Sequence, residues 1–385
     1  MTTPFRHIET QLVHAGEPLP RIAGAVEAPI FQSATYEYAG EGNYHDVRYL
    51  RTNNTPSQLV LHDKIAALEG AEAALVTASG MAAISTTLLT VLAPGDHLLA
   101  QSCLYGGTHD FVVSEFKRLG IACDFIDADR RDTWEQQLRP TTRAIYVEAM
   151  TNPLLQVADL EGVVQFARAH RLVSIIDNTF ATPVNYRPLP AGFDLSLHSA
   201  TKYLNGHADI VAGAVAGSAA LIERIRHRAN HLGGSLDPHA AFLLKRGLKT
   251  LALRVRFQND STLKLAQFLE SHPQVARVNY AGLESHPRHA RARQLFSGFG
   301  GVLSFELEGP ASRADDFARR VRIPTVAPSL GGVHTLLTRP ATTSHAGLSR
   351  ADRERLGISE GLLRLSVGIE ATEDLLEDLR QALGG

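Results

Sequence analysis

The chain has 385 residues, more than one hydrophobic core usually holds, with 44% hydrophobic and 20% charged residues and a net charge of -2 from 38 basic and 40 acidic side chains. That balance leaves no electrostatic footprint for nucleic acid or an anionic membrane. The two cysteines, Cys103 and Cys123, are too few for a disulfide framework and lack metal-ligand spacing, which fits a reducing compartment.

In chain order, Met1 to His7 are polar without a signal-peptide core, and no 18-residue apolar run follows, so a soluble cytoplasmic protein is expected. Residues 1–55 show little periodicity and many Gly, Pro, Thr and Asn, as in Gly40-Glu41-Gly42-Asn43, and read as an extended arm. Pro56 opens a helical pattern in which Leu59, His62, Ile65, Ala66 and Leu68 recur until Gly70 stops it. Short apolar runs then alternate with helical segments: Ala73 to Val76, His97 to Ala100, Ile121 to Phe125, Ala144 to Val147, Leu172 to Ile176, Leu195 to Leu197 and Ile210 to Ala216. This alternation predicts crossover units and a mainly parallel sheet. Beyond Gly247 come a long helix over Thr250 to Leu269, runs at Val275 to Val278 and Gly301 to Phe305, and a terminal helix near Thr372 to Leu383. The expected organisation is an arm over residues 1–55, a large α/β domain over 56–246 and a smaller α+β domain over 247–385.

Residues able to carry chemistry fall where these runs end. Lys202, in Ser199-Ala200-Thr201-Lys202, follows the run that closes at His198, and Asp177 closes Ile175-Ile176-Asp177. A lysine amine can hold an aldehyde cofactor as a Schiff base, a buried carboxylate can keep a pyridine nitrogen protonated, and Ser199 and Thr201 can bind a phosphate. The combination points to pyridoxal phosphate (PLP). Asp177 ends a run too apolar to expose it, and a buried carboxylate needs a cation; the competing reading is a cap on the turn at Asn178 and Thr179. Ser79-Gly80-Met81 lies between a strand and a helix start, where free N–H groups attract phosphate, or is a plain capped turn. Tyr105, before Gly106-Gly107, is either a ring-stacking residue or a packing one. Tyr49 and Arg51 share one face if the arm is extended, as two phosphate ligands; otherwise Arg51 is a surface arginine. Arg364, inside the apolar run Leu362 to Val367, requires an anion, either a carboxylate of the chain or that of an amino-acid substrate. Among the 17 histidines only His227 and His231 are spaced i,i+4, with no third ligand in a recognisable motif, so no metal site is expected.

These residues, in this order, resemble the Cys/Met-metabolism PLP family, the transsulfuration enzymes. The likeness spans nearly the whole chain, through Tyr49-x-Arg51, Ser79-Gly80-Met81-Ala82-Ala83, Tyr105-Gly106-Gly107-Thr108, Glu148-x-x-x-Asn152-Pro153, Asp177-Asn178-Thr179-Phe180, Ser199-Ala200-Thr201-Lys202-Tyr203 and Ser329-Leu330-Gly331-Gly332. It implies the aminotransferase-like fold (fold type I), a large domain with a mainly parallel sheet plus a smaller α+β C-terminal domain. It implies that Lys202 carries the cofactor and shuttles protons, Asp177 pairs with the ring nitrogen, Tyr105 stacks on the ring and Asn152 approaches the ring hydroxyl. Gly80, Met81, Ser199 and Thr201 would hold the phosphate from their own subunit, with Tyr49 and Arg51 reaching it from a neighbour. Arg364, with Ser329 and Asn152, would bind the substrate carboxylate. The implied protein is a homo-oligomer, typically a tetramer of two dimers, acting on a small sulfur amino acid.

The leading expectation is a carbon–sulfur lyase, cystathionine γ-lyase or β-lyase. The alternatives are γ-replacement by a cystathionine γ-synthase or O-acylhomoserine sulfhydrylase, then methionine γ-lyase, and, from another class, a noncatalytic α/β binding protein, against which the intact Lys202, Asp177, Tyr105 and Arg364 argue. Three positions depart from the family. Asn54-Thr55-Pro56 replaces Asn-Pro-Thr, Gly107 stands where methionine γ-lyases carry cysteine, and His334 stands where many cystathionine-handling members have glutamate. The last implies that the distal ammonium of cystathionine loses one partner.

Overall fold

The computed structural model describes residues 5–384; Met1 to Pro4, part of the polar start read above, lie outside it. The arm departs from the expected extended form at its beginning, where α1 (Ile8–His14) is helical. Its Leu12 is buried against α2 (Pro56–Glu69), the helix that Pro56 opens and Gly70 ends in a left-handed turn.

Non-local charge pins the arm down. Lys64 on α2 is fully buried and its Nζ donates to the Leu12 carbonyl at 3.0 Å. Glu17 approaches Lys64, Lys245 and Lys249 at 3.6, 3.9 and 3.7 Å, and Lys245 also pairs with Glu27 at 3.0 Å. Burial pulls the Lys64 ammonium down to about 8, against the attraction of Glu17. Removing one partner of a buried ion network strands the other charges. Glu17→Gln should therefore cost about 3 kcal/mol of stability at neutral pH, and chemical denaturation of the two proteins checks it; an unchanged midpoint would contradict the role given to Glu17.

Seven strands form the large sheet: β1 (Ala73–Thr77), β2 (His97–Gln101), β3 (Ala122–Ile126), β4 (Thr142–Glu148), β5 (Val173–Asp177), β6 (Leu195–His198) and β7 (Gly213–Gly217). Their order is β1-β7-β6-β5-β4-β2-β3, with β2 to β6 paired in parallel and β7 antiparallel to both β1 and β6. The mainly parallel sheet is thus interrupted by one reversed strand. It begins at Gly213, so Ile210, Val211 and Ala212 of the sequence run lie outside it. Successive residues feed opposite faces: Leu98, Ile175 and Leu197 enter one core cluster, and Leu99, Ile145 and Ile176 another. Burial on both faces explains why these strands read as continuous apolar runs.

A second, five-stranded sheet follows, from β8 (Val275–Asn279), β9 (Val302–Leu307), β10 (Thr325–Val326), β11 (Leu336–Thr338) and β12 (Leu363–Ser366), ordered β10-β11-β12-β9-β8. The helices Leu251–Ser271 and Thr372–Leu383 pack on it through Leu265, Leu269, Leu375 and Leu379. The helix Pro238–Leu248 runs across the junction expected at 246/247. No helix among the described residues is long and apolar enough to cross a membrane.

Candidate active site

β1, β4, β5 and β6 all point the same way, so their carboxyl ends share one edge, where parallel α/β sheets place ligands. There the chain forms a cavity of about 600 Å³. Ser79, Gly80 and Met81 enter it from the β1 turn, Tyr105 from beyond β2, Glu148, Met150 and Asn152 from the end of β4, Asp177 and Thr179 from β5, and Ser199, Thr201 and Lys202 from beyond β6. The second sheet closes it with Arg364 of β12 and the preceding segment Pro328-Ser329-Leu330. Every residue expected from the sequence to bind cofactor or substrate lines this cavity except Tyr49 and Arg51.

At the end nearest β1, Ser79 caps α3 (Gly80–Val91), its Oγ accepting from the Ala82 amide at 3.0 Å. The next amides, at Gly80 and Met81, are not used by the helix itself. A Cβ on Gly80 would lie 2.8 Å from the Ser199 side chain, so glycine is what lets this turn meet the loop after β6. Ser199 is fixed through its amide, which donates to Thr179 Oγ1 at 2.8 Å, while the Thr201 hydroxyl is engaged with Ala212.

Asp177 is buried, and no basic side chain forms an ion pair with it among the described residues. One carboxylate oxygen accepts from the Thr179 amide at 2.9 Å. The turn-capping reading is therefore realised together with the pocket-facing one. Burial raises the Asp177 carboxyl above its ordinary range, offset in part by Thr179 and by the nearby His198. His198 in turn holds Glu69 at 2.5 Å in a wholly buried pair behind the sheet.

Tyr105 precedes α4 (Gly106–Asp110) and presents its ring to the cavity. A Cβ on Gly107 would lie 2.7 Å from Tyr105 Cε1 and 3.2 Å from Met81 Sδ. The ring folds back over residue 107, so a larger side chain there would require Tyr105 to shift.

Across the cavity, Lys202 Nζ donates to Ser329 Oγ at 2.8 Å. Burial and then the positive charge of Arg364 pull its ammonium down to about 8. Arg364 is 4% exposed and donates to Asn152 Oδ1 and to the Ser329 carbonyl, each at 2.9 Å. Both partners are neutral, no carboxylate pairs with it among the described residues, and its Nε is buried without a hydrogen bond. Burial lowers the guanidinium to about 10. Ser329, which links lysine and arginine, holds φ at 99°, a conformation non-glycine residues rarely adopt.

Tyr49 and Arg51 lie elsewhere. Leu50–Thr52 forms a 3₁₀ turn in place of an extended segment, and Arg51 donates to the Asn230 carbonyl at 2.6 Å and to the Tyr44 hydroxyl. His334 is exposed and absent from the cavity wall, so its departure from glutamate removes nothing from the pocket of its own chain. Sequence reasoning passed over Thr343 and Ser344, which line the cavity, gave Thr179 only a part in the turn after Asp177, and left Glu148 without a role. The available signal for Glu148 was an acid closing the apolar run Ala144 to Val147, as Asp177 closes its own run.

Known proteins share this whole arrangement of chain. Residues 9–384 match the family model described as Cys/Met metabolism PLP-dependent enzyme. A cystathionine gamma-lyase of Bacillus subtilis (strain 168) is 42% identical over 97% of this chain and 98% of its own. A cystathionine beta-lyase of Coxiella burnetii is 40% identical over 98% of both chains. The crystal structure of cystathionine gamma-lyase from Lactobacillus plantarum complexed with L-serine superposes with a TM-score of 0.93 at 38% identity, covering 98% of each chain. Likeness of this extent, in sequence and in fold together, establishes the chain as a member of the Cys/Met metabolism PLP-dependent enzyme family, with fold type I architecture.

Proposed function

We propose that this protein is a carbon–sulfur lyase that cleaves cystathionine or a closely related sulfur amino acid into a thiol, a 2-oxo acid and ammonia. The observation that carries the reading is the pairing of Lys202 with Arg364 across Ser329: an amine lowered to about 8 beside a buried guanidinium whose Nε has no hydrogen-bond partner among the described residues. An amino acid whose carboxylate meets Arg364 brings its α-carbon beside Lys202 Nζ. The relatives named as cystathionine lyases support the substrate class.

The residues fit the cofactor. Asp177 is a buried carboxylate with no ion pair among the described residues, suited to a protonated ring nitrogen; Tyr105 supplies a ring face, and Gly80, Met81, Ser199 and Thr201 a phosphate cradle. When bound, PLP supplies an electron-accepting ring that acidifies the substrate α-carbon. Lys202 Nζ, as the free amine, takes that proton and returns one further along the substrate as the sulfur departs. Asn152 and Ser329 hold Arg364 in line, and Tyr105 shields the reacting face from water.

Because only the free amine of Lys202 reacts with an aldehyde, cofactor uptake by the apo-protein should rise with pH and level off above about 8. Stopped-flow absorbance checks this; an inflection near the ordinary lysine value of 10.5 would contradict it. Activity is tested by supplying L-cystathionine to the PLP-loaded protein and identifying products. A thiol with a 2-oxo acid supports the proposal, pyruvate with homocysteine marking β-elimination and 2-oxobutyrate with cysteine γ-elimination. No oxo acid from cystathionine, with thioether or thiol formed from an O-acylhomoserine and cysteine or sulfide, would overturn it in favour of γ-replacement.

The active form in this proposal is a homo-oligomer, a tetramer of two dimers, in which Tyr49 and Arg51 complete a neighbour's phosphate site. Their position outside their own cavity supports this, as do Leu19, Val26 and Tyr38 of the arm, exposed at 87%, 75% and 70%, which a second copy would cover. A cytoplasmic setting fits two free cysteines whose thiols burial pushes up to about 12.

A further inference from the structure

Glu148 ends β4 directly opposite Asp177 in the parallel pairing of β4 with β5. Paired residues of parallel strands put their side chains on the same face, so two carboxyl groups enter one cavity side by side. Glu148 is 4% exposed and has no ion pair with a lysine, arginine or histidine among the described residues. What it does have is backbone. Its Oε1 accepts from the Tyr105 amide at 2.5 Å, and the Asn152 amide also supports the carboxyl, while its own amide is fixed on Gln101 Oε1 at 2.9 Å.

Two adjacent buried carboxylates cannot both ionise cheaply. Asp177 has the better claim to the charge, since the Thr179 amide and His198 support it and the cofactor ring nitrogen is its intended partner. Burial and then Asp177 push the Glu148 carboxyl well above the usual range. The other titratable groups that feel it, Tyr146 and Cys103, are neutral and bring no cation. A neutral carboxyl still accepts hydrogen bonds, which leaves reach and direction as its function.

We propose that Glu148 is a positioning residue that works in its neutral form, tying the loop of the ring-stacking Tyr105 to the loop of Asn152, the residue that aims Arg364 at the substrate. One side chain thereby sets the spacing between the cofactor face and the carboxylate clamp. The proposal rests on the roles given above to Tyr105 and Asn152.

Neutral reach and acidity can be separated by substitution. Glu148→Gln keeps the length and the acceptor oxygen but cannot ionise, whereas Glu148→Asp keeps the acid one methylene short. The expected result is that E148Q stays within about 3-fold of the parent in cofactor dissociation constant and kcat/KM, while E148D and E148A lose about 30-fold in kcat/KM and about 10-fold in cofactor affinity. Cofactor affinity is read by titrating the apo-protein and following its visible circular dichroism, independently of turnover. A parent-like E148D with a crippled E148Q would overturn the proposal, as would three parent-like variants or equal loss in all three. Should E148A fail to fold, the Gln and Asp variants decide alone. If the parent itself does not carry its cofactor on Lys202, the site reading fails; if it does and the Gln and Asp pattern is reversed, only the role of Glu148 fails.

Discussion

Lys202→Ala is expected to lower turnover of cystathionine by about 10⁴-fold, the upper end of what one positioned acid–base group supplies. It should also remove the visible absorbance of lysine-linked cofactor. The amine is asked to hold the cofactor and to move the substrate proton, and no other lysine lines the cavity. Folding should be preserved. Below about pH 8 the parent carries an ammonium in a buried place, so deleting it relieves a desolvation cost and leaves only Ser329 Oγ without its donor. Lys202→Arg separates charge from chemistry: a guanidinium keeps the positive charge but does not deprotonate, and should be as inactive as alanine. Kinetics on both variants, with circular dichroism to confirm folding, checks this; substantial turnover in either would contradict it.

Arg364→Leu should raise KM for cystathionine and lower kcat/KM by about 10²-fold, equivalent to about 3 kcal/mol for a charge-assisted, two-pronged contact. Lysine at this position should recover little, because a point charge can hold neither Asn152 Oδ1 and the Ser329 carbonyl together nor a carboxylate in a fixed plane. A second effect follows at a distance. Arg364 lowers the Lys202 ammonium, so removing its charge should move the midpoint of cofactor uptake to higher pH. A fixed midpoint would mean that burial alone sets the amine. An unchanged KM would mean that the substrate carboxylate binds elsewhere.

Much of this site is legible in the sequence because of how parallel sheets are built. The strands of the large sheet inside its edge strand β3 are buried on both faces, so they read as apolar runs, and the polar residues just beyond them mark the edge where ligands bind. Asp177 and Ser199 announce themselves in that way, and Ser79 and Lys202 lie within a few residues of such ends. Glu148 sits at an equivalent position, yet its hydrogen bond to Tyr105 crosses from the end of β4 to the loop after β2, and no local pattern encodes it. The turn at Leu50–Thr52 and the partners of Arg51 are hidden for the same reason, since Asn230 lies on the distant helix Ala219–Leu232.

Shorter elements fall below what periodicity resolves. β10 and β11 have two and three residues and exist only because β12 and its neighbours template them. α1 is a seven-residue helix held by Leu12 and the Glu17–Lys64 pair, neither of which a propensity window weighs. Gly247 reads as a break, but a single glycine costs a helix only about 1 kcal/mol, and the helix runs through it. The reversed direction of β7 is equally invisible, because Gly213-Ala214-Val215-Ala216-Gly217 is apolar and small whichever way it runs.

The most direct test of the site is to load the protein with PLP, fix any lysine–cofactor bond with borohydride, digest the product and locate the added mass by peptide sequencing in a mass spectrometer. The expected result is one modified peptide, containing Ser199-Ala200-Thr201-Lys202, with the label on Lys202 and lost in Lys202→Ala. Label on another lysine, such as Lys64 or Lys245, or no covalent label on a protein that binds the cofactor, would contradict the assignment on which the whole account rests.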